Sequence, residues 1–411
     1  MALLATCKDH LVVSSGSTFI AIDTKDSREP FVYDCSKADK KPQGSENKGD
    51  EGGSEEKGSD KILSFAFSSS GDYFALTDDN KRLILFCTKP SWECLSTRWV
   101  VRRCTSLVVT QSEDHILVAD KSGDVYSFSV SNPQKPSELK LGHLSMLLSV
   151  AVSPDGKYII TADRDEKIRV SLLKAPYDIQ SFCLGHREFV SSVFVPPHHP
   201  HWLISGSGDG TLRLWDIESG TELQNLDLKQ LNGPDSTEKD KKFAVSRIAS
   251  SPQGDHIAVS CDSFPAVHIF QVDVESQMLV HMEHLRLAHS SWDVAFSQAG
   301  KLWLLQQNQD TPATLYTLTD GHWQCEPKDP EVKRLTEVVH AHWDMFQDSI
   351  GAESCYHNLY KVVSDNMATY LQKKQERIQQ QGTKRGKPLP QSRTTLELCQ
   401  SDHRVLGHLP D

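Results

Sequence analysis

Three side chains that could cooperate in hydrolysis lie close together in the middle of the chain: His186, Ser205 and Asp209. A histidine can act as general base for a serine hydroxyl while a carboxylate orients the imidazole ring. The neighbouring stretch Gly206-Ser207-Gly208-Asp209-Gly210 also imitates a glycine-rich nucleotide loop. Such a loop follows a strand and opens a helix, whereas this stretch precedes the strand predicted for residues 211–215. We therefore interpret the glycines as a tight turn, and the meaning of the triad depends on the elements around it.

Those elements belong to a repeat. Leu141-Gly142-His143 recurs 43 positions later as Leu184-Gly185-His186, and each copy is followed by three alternating strands separated by turns. The second copy ends in Trp215-Asp216. A period of roughly 40–45 residues with a Trp-Asp dipeptide is typical of the four-stranded blade of a WD-repeat β-propeller. Weaker copies place Phe86, Phe128, Ser171, Phe270 and, more loosely, Tyr316 at the position of Trp215.

With a degenerate unit at the start of the chain, the repeats predict an all-β fold, a seven-bladed propeller over residues 1–330. Eight or six blades are the lesser alternatives. A single blade cannot bury both faces, so neighbouring blades must stack and the ring must close. We expect the N-terminal segment to close it by supplying a strand to the last blade. In this frame His186, Ser205, Asp209 and Trp215 form the structural tetrad of a WD repeat, and we predict no catalytic residue.

Several segments fall outside the repeat pattern. Residues 36–60 are almost free of apolar side chains and are expected to form a disordered loop between blades, and residues 231–242 form a smaller polar insertion. After residue 330 the apolar spacing becomes helical, which predicts C-terminal helices over 331–381, namely 331–347 and 356–381. Residues 382–411 are predicted to be a disordered basic tail. Five basic residues near this end form a charge run that is either a solvated tail, a nuclear-import signal or a site of phosphate contact: Lys373, Lys374, Arg377, Lys384 and Arg385.

Composition excludes some classes of function. Ten cysteines occur without a CxxC pair, and His198, His199 and His201 have no cysteine nearby, so we predict no metal site and an intracellular protein with reduced thiols. The N-terminus is a poor signal peptide, and no apolar run is long enough to span a membrane. The net charge of −11 argues against a surface that is basic throughout, although a local basic patch stays possible.

Five stretches closely resemble a single family. They are FVYDC at 31–35, RLILF at 82–86, ADKSGDVYSFSV at 119–130, GHLSMLLSVAVSPD…TADRDEKIRVS within 142–171, and YLQKKQERIQQQ at 370–381. The family is the WD-repeat, non-catalytic subunit of the tRNA (guanine-N7-)-methyltransferase, and the resemblance extends to about Gln381. It implies a nuclear heterodimer in which the partner subunit binds S-adenosylmethionine and forms 7-methylguanosine in the variable loop of tRNA. The propeller would stabilise that partner and help position the tRNA, with no cofactor, small-molecule substrate or membrane contact of its own.

The alternative is a propeller that serves as substrate receptor or scaffold in another complex, for example a ubiquitin ligase or a chromatin complex. A ubiquitin-ligase receptor is expected to carry a WDxR motif at the end of a blade. The stretch Trp215-Asp216-Ile217-Glu218 lacks the arginine. The sequence therefore favours the methyltransferase subunit.

One turn stands out as a candidate partner-binding site. When Ser171 is aligned with Trp215, Arg164, Glu166 and Lys167 replace Gly208, Gly210 and Thr211, and Asp165 becomes the structural turn acid. Long charged side chains bring no steric benefit to a tight turn. The cluster is therefore either an ordinary solvated turn or a surface selected for binding a partner. The resemblance implies that this turn faces an acidic patch on the methyltransferase.

We assign Lys167 to an ion pair with the partner, and we expect Arg169 to hold Glu166 and the turn in shape. The partner-binding set is thus Arg164, Glu166, Lys167 and Arg169. The five C-terminal basic residues are expected near tRNA phosphates, where contacts position the RNA without reading its bases.

Overall fold

The computed structural model describes residues 2–25, 28–40, 58–232, 242–262 and 264–361, together with the helical positions 367, 370, 371 and 373–375. Within these residues, 28 strands form seven four-stranded sheets. Neighbouring strands in every sheet are antiparallel, as between His10 and Asp23 in the first sheet. The predicted seven-bladed β-propeller is confirmed.

Each blade is built from four consecutive strands, with the first strand innermost. The first three blades are β1–β4 (Leu3–Cys7, His10–Ser15, Thr18–Asp23, Phe31–Asp34), β5–β8 (Ile62–Phe67, Tyr73–Asp78, Arg82–Cys87, Glu93–Trp99) and β9–β12 (Cys104–Val109, His115–Asp120, Asp124–Ser129, Glu138–Gly142). The fourth and fifth are β13–β16 (Leu147–Val152, Tyr158–Asp163, Lys167–Leu172, Ala175–Leu184) and β17–β20 (Val190–Phe194, Trp202–Ser207, Thr211–Asp216, Glu222–Asp227). The sixth and seventh are β21–β24 (Val245–Ser250, His256–Cys261, Ala266–Asp273, Met278–Arg286) and β25–β28 (Ser291–Phe296, Leu302–Gln306, Ala313–Thr319, His322–Cys325).

Burial follows from the stacking of the blades. The second strand of a blade has a neighbouring blade on both faces, and β14 and β18 are accordingly buried at every residue. The outermost strand has solvent along its free edge, and β16 is exposed at most of its ten residues. Blade packing is close enough to require glycine at one position, because a Cβ added at Gly206 would lie 2.3 Å from Val245 Cγ1.

The expectation that the N-terminal segment closes the ring as a strand of the last blade is wrong. The seventh sheet takes all four strands from residues 291–325, and β1 is the innermost strand of its own sheet. The first and last blades instead meet side by side, where the Leu4 amide donates a hydrogen bond to Asp293 at 2.8 Å.

A C-terminal helical segment covers this join. Helix α1 (Pro330–Ala341) is capped by Asp329, whose side chain accepts from the Glu331 amide, and a 3-10 helix (Trp343–Ser349) follows it. Their apolar side chains enter one cluster with residues of the first and seventh blades. The Arg334 guanidinium also donates to the carbonyls of Asp23 and Arg28 at 2.5 and 2.9 Å. The helical segment thus holds the two blades together without an exchanged strand.

The C-terminal helices differ from their predicted bounds. The first is divided in two, because the chain changes from α-helical to 3-10 geometry at His342. The second does not begin at Tyr356, since the described residues there form a short 3-10 helix (His357–Leu359) and an extended Tyr360. The apolar spacing of 356–360 serves contacts with the propeller instead of a helix face. Residues Lys361–Asp411 form a second compact unit.

The polar segments are described only at their ends. Cys35–Lys37 forms a 3-10 helix at the start of the predicted disordered loop 36–60, and Asp60 at its end pairs with Arg82 at 2.5 Å. Likewise Gln230–Asn232 forms a 3-10 helix at the start of the 231–242 insertion. The rest of both segments and the predicted tail 382–411 lie outside the described residues.

Candidate functional site

The structure brings the four predicted tetrad residues into one hydrogen-bonded chain inside the fifth blade. His186 Nδ1 lies 3.1 Å from Asp209 Oδ2, and His186 Nε2 lies 2.8 Å from Ser205 Oγ. The Trp215 indole donates to the same hydroxyl at 2.7 Å. Ser205 and Trp215 are fully buried, so this serine has no face on which to meet a substrate. The arrangement ties β18 and β19 to the loop before β17.

The charges in this network agree with a structural role. Burial lowers the pKa of His186, although hydrogen bonding to Asp209 opposes the shift. Burial by itself would raise the pKa of Asp209, but hydrogen bonds from His186, Thr211 and the Arg187 amide hold that pKa well below its usual range. A neutral imidazole beside an ionised carboxylate is therefore stable here, with each polar atom satisfied by a neighbour.

A second copy of the network lies in the fourth blade, and it corrects one prediction. His143 Nδ1 is 3.0 Å from Asp163 and its Nε2 is 2.8 Å from Thr161 Oγ1. Asp163 also accepts from the amides of Asp165 and Lys167. Asp163 is therefore the structural acid, whereas Asp165, to which the alignment gave this role, has an exposed side chain. In the fourth blade the structural acid is the last residue of β14, whereas in the fifth blade it lies in the turn after β18. An alignment of the two blades without gaps therefore assigns this role to the wrong residue.

The candidate partner-binding residues lie on the turn between β14 and β15 and on β15 itself. Glu166 has φ of +73°, in the left-handed region that Gly210 occupies in the next blade with φ of +79°. The Lys167 side chain is exposed, with Nζ 3.4 Å from the carbonyl of Asp165. Arg164 donates to the carbonyls of Leu359 and Asn358 at 3.2 and 3.3 Å.

Arg169 joins two blades. Its guanidinium donates to Ser171 Oγ at 3.0 Å and to the carbonyls of Gly142 and Pro176 at 3.1 Å each. Gly142 ends the outermost strand of the third blade, and Pro176 lies on β16. Burial lowers the pKa of Arg169. The three bonds stabilise the edge of the fourth blade, and the expected hold of Arg169 on Glu166 stays a prediction.

Beside the turn lies an exposed apolar surface that sequence reasoning missed. Leu184 pairs with Lys167 and Phe182 with Arg169 across β15 and β16, so these side chains share one face of the sheet. Leu184 is 62% exposed, Phe182 is 41% exposed, and Leu144, which closely follows Gly142 in the third blade, is fully exposed. We call Leu144, Phe182 and Leu184 the apolar strip. Alternation along β16 was readable in the sequence, but only the ring shows that this strand has no neighbour outside it.

The C-terminal basic residues belong to the second unit. Lys373 and Lys374 are helical and exposed. Arg377, Lys384 and Arg385 lie outside the described residues. Support for their proposed contact with RNA therefore comes from the sequence alone.

The described residues offer no other chemical centre. No group of three histidine, cysteine or acidic side chains among them could hold a metal ion. In the histidine-rich loop, His198 is 3.3 Å from the carbonyl of Pro252, and His199 stacks on Trp202. None of the helices in the described part of the chain is long and apolar enough to cross a membrane.

The blades and their internal networks define a WD-repeat propeller that offers surfaces to other molecules. A family model described as the tRNA methyltransferase TRM82 WD40 domain matches residues 21–139 and 129–315. The chain is 56% identical over 389 residues to a tRNA (guanine-N(7)-)-methyltransferase non-catalytic subunit of Danio rerio, with 94% of each chain covered. It is 51% identical to the Homo sapiens subunit of the same description, covering 90% of this chain and 89% of the relative. The chain belongs to this family of non-catalytic subunits, as the sequence resemblance implied.

A solved structure supports the fold alone. The structure described as RRP9 WD40 repeats superposes with a TM-score of 0.60 and 19% identity, covering 74% of this chain and 87% of that chain. At this identity the comparison shows a shared propeller and no shared partner.

Proposed function

We propose that this propeller binds the catalytic subunit of the tRNA (guanine-N7-)-methyltransferase through Lys167, at the end of the turn between β14 and β15, and the apolar strip. In the assembled enzyme it stabilises that subunit and helps position tRNA for 7-methylguanosine formation in the variable loop. The observation that carries the proposal is the exposed apolar strip beside an exposed lysine on one edge of the ring.

The chemistry of this edge suits a protein partner. Stable interfaces combine buried apolar anchors with a polar rim, and large apolar side chains grouped on a surface mark such sites. Leu144 and Leu184 supply anchors, and Lys167 opposite Leu184 supplies a positive charge at their rim. A partner surface with apolar side chains and an acidic patch would complement both.

Contacts within the chain indicate which basic residue near this turn can pair with the partner subunit. Arg169 is occupied by bonds that join two blades, and Arg164 is bonded to the C-terminal segment. Lys167 extends into solvent and is the residue we assign to an ion pair with a partner carboxylate. Glu166 is kept in a left-handed conformation that costs a non-glycine residue roughly 1 kcal/mol, which favours a surface role for the turn.

The binding site is tested by the affinity of the full chain for the purified catalytic subunit. Lys167→Glu and Leu184→Asp should each raise Kd at least tenfold, which corresponds to about 1.4 kcal/mol. Close interfacial charge pairs couple by about 1.5–7 kcal/mol. Because salt screens such pairs, the effect of Lys167→Glu on Kd should become smaller as salt is added. Lys333→Glu, at an exposed lysine on α1, is the matched control and should bind like the wild type.

The melting temperature separates binding from folding. Both substitutions are at exposed positions and should leave the melting temperature of the isolated propeller within a degree or two. Wild-type affinity in both variants would show that the catalytic subunit binds elsewhere on the ring.

The remaining roles complete the proposal. S-adenosylmethionine is assigned to the catalytic subunit, and the complex is assigned to the nucleus. We assign tRNA phosphate contacts to the C-terminal basic residues, of which Lys373 and Lys374 are described as exposed helical positions. Neutralising one phosphate-binding residue should reduce the slope of tRNA binding against salt by roughly one.

A further inference from the structure

A short C-terminal segment is fastened across the fourth, fifth and sixth blades. We call residues 356–360 the C-terminal strap. Arg164 of the fourth blade donates to its carbonyls at Leu359 and Asn358, at 3.2 and 3.3 Å. Lys242, just before the sixth blade, places its ammonium 4.2 Å from the centre of the Tyr360 ring. The strap is therefore bonded to the same turn that carries Lys167.

An aromatic side chain of the fifth blade, Phe189, packs against two rings of the strap. The Phe189 ring stacks on Tyr356 at 5.8 Å between centroids with 8° between planes, and Tyr360 meets it edge-on at 5.0 Å. Phe189 is fully buried. A Cβ added at Gly208 would lie 2.4 Å from this ring, so the glycine is required for the ring to occupy its place. The repeat turn is thus shaped to hold the strap through Phe189.

We propose that Arg164 is a positioning residue for tRNA, because it fixes the strap and with it the point where the basic C-terminal residues leave the propeller. This inference rests on the proposed function. Arg164 and Lys167 are three residues apart, which limits their separation to about 10 Å. Clamping the strap at Arg164 therefore starts the C-terminal chain beside the proposed site of the catalytic subunit.

Chain length then limits where the basic residues can act. Lys373 follows Tyr360 by 13 positions. That length spans about 20 Å as a helix and at most about 45 Å when extended. A fixed start raises the effective concentration of these residues near tRNA held by the catalytic subunit, whereas a released strap lets them sample a larger volume.

Arg164→Ala in the reconstituted heterodimer tests the inference through steady-state kinetics. We expect the Kd for the catalytic subunit to stay within twofold of the wild type. The KM for tRNA should rise about threefold to tenfold, while kcat at saturating tRNA stays unchanged. Tyr360→Ala loosens the strap at its other end and should give the same split between KM and kcat.

A double-mutant cycle separates positioning from a general loss of structure. Alanine at Lys373, Lys374, Arg377, Lys384 and Arg385 removes the charges that the strap is proposed to deliver. In that background Arg164→Ala should raise the KM no further, because the strap would have nothing left to position. Equal effects of Arg164→Ala in both backgrounds would overturn the inference, as would a raised Kd for the catalytic subunit, which would make Arg164 an interface residue.

The two failures are distinguishable. If the five alanines raise the KM and Arg164→Ala does not, the positioning role is wrong and the tail–tRNA contact stands. If the five alanines leave the KM and its salt dependence unchanged, the tail–tRNA contact itself is wrong, and the positioning role fails with it.

Discussion

The buried histidine of the sixth blade predicts a measurable loss of stability in acid. His268 on β23 is fully buried, and neither ring nitrogen has a hydrogen-bond partner within the described residues. Its strand partner β24 has a bulge, since Ile269 pairs with Glu283 but Phe270 pairs with His281. The extra residue brings His281 and His284 to the same face, where their rings lie 5.6 and 6.2 Å from that of His268.

The magnitude follows from the pKa. Burial, reinforced by the two neighbouring histidines, lowers the pKa of His268 from 6.5 to about 3. Between these two pKa values, His268 is protonated in the unfolded chain and neutral in the folded chain. The stability present above pH 6.5 is therefore lost as the pH falls towards 3. A pH of 5.0 is about 1.5 pH units below the pKa of 6.5 in the unfolded chain. At 1.36 kcal/mol per unit, the unfolding free energy at this pH is lower by about 2 kcal/mol.

His268→Phe removes this titration and fits among the neighbouring rings of Phe264 and Phe270. The unfolding free energy, from urea titrations at pH 7.5 and pH 5.0, should fall by about 2 kcal/mol less in the variant than in the wild type. Other titrating groups are common to both proteins and cancel in the comparison. Phe270→Leu, which perturbs the same cluster without removing a proton site, should keep the wild-type pH dependence. An identical loss in wild type and His268→Phe would refute the reasoning.

Two further predictions concern the fourth blade and the ring closure. Asp163→Ala removes the acceptor for His143 and for the amides of Asp165 and Lys167, and it should lower the urea unfolding free energy by about 2–3 kcal/mol. Asp165→Ala should change it by less than about 0.5 kcal/mol, and equal effects would restore the role that the alignment gave to Asp165. Phe346→Ala empties a fully buried site against Trp292 and Trp343 at the join of the first and last blades, and it should cost about 3–5 kcal/mol in the same assay. Leu318→Ala, at a 44% exposed position, is its control, and a similar small change in both would mean that the helical segment does not hold the ring closed.

The sequence alone determined what repeats within a single blade. The 43-residue spacing, the Trp215-Asp216 dipeptide and the turn chemistry predicted the number of blades and assembled the residues of the fifth-blade network. These features are readable because a blade is a local unit, whose strands pair with their neighbours along the chain. Five short stretches of the same sequence indicated the family of non-catalytic methyltransferase subunits.

Only the tertiary structure decided how distant segments meet. The ring closes through contacts such as Leu4 with Asp293, the strap is fixed by Arg164 and Phe189, and the apolar strip is exposed because β16 is an outermost strand. The identity of the structural acid, Asp163, also depended on where β14 ends. Each of these features joins residues far apart in the chain or depends on where a strand ends in space. Local spacing reports the faces of a strand, and the packing of the whole ring determines which face or end meets another segment.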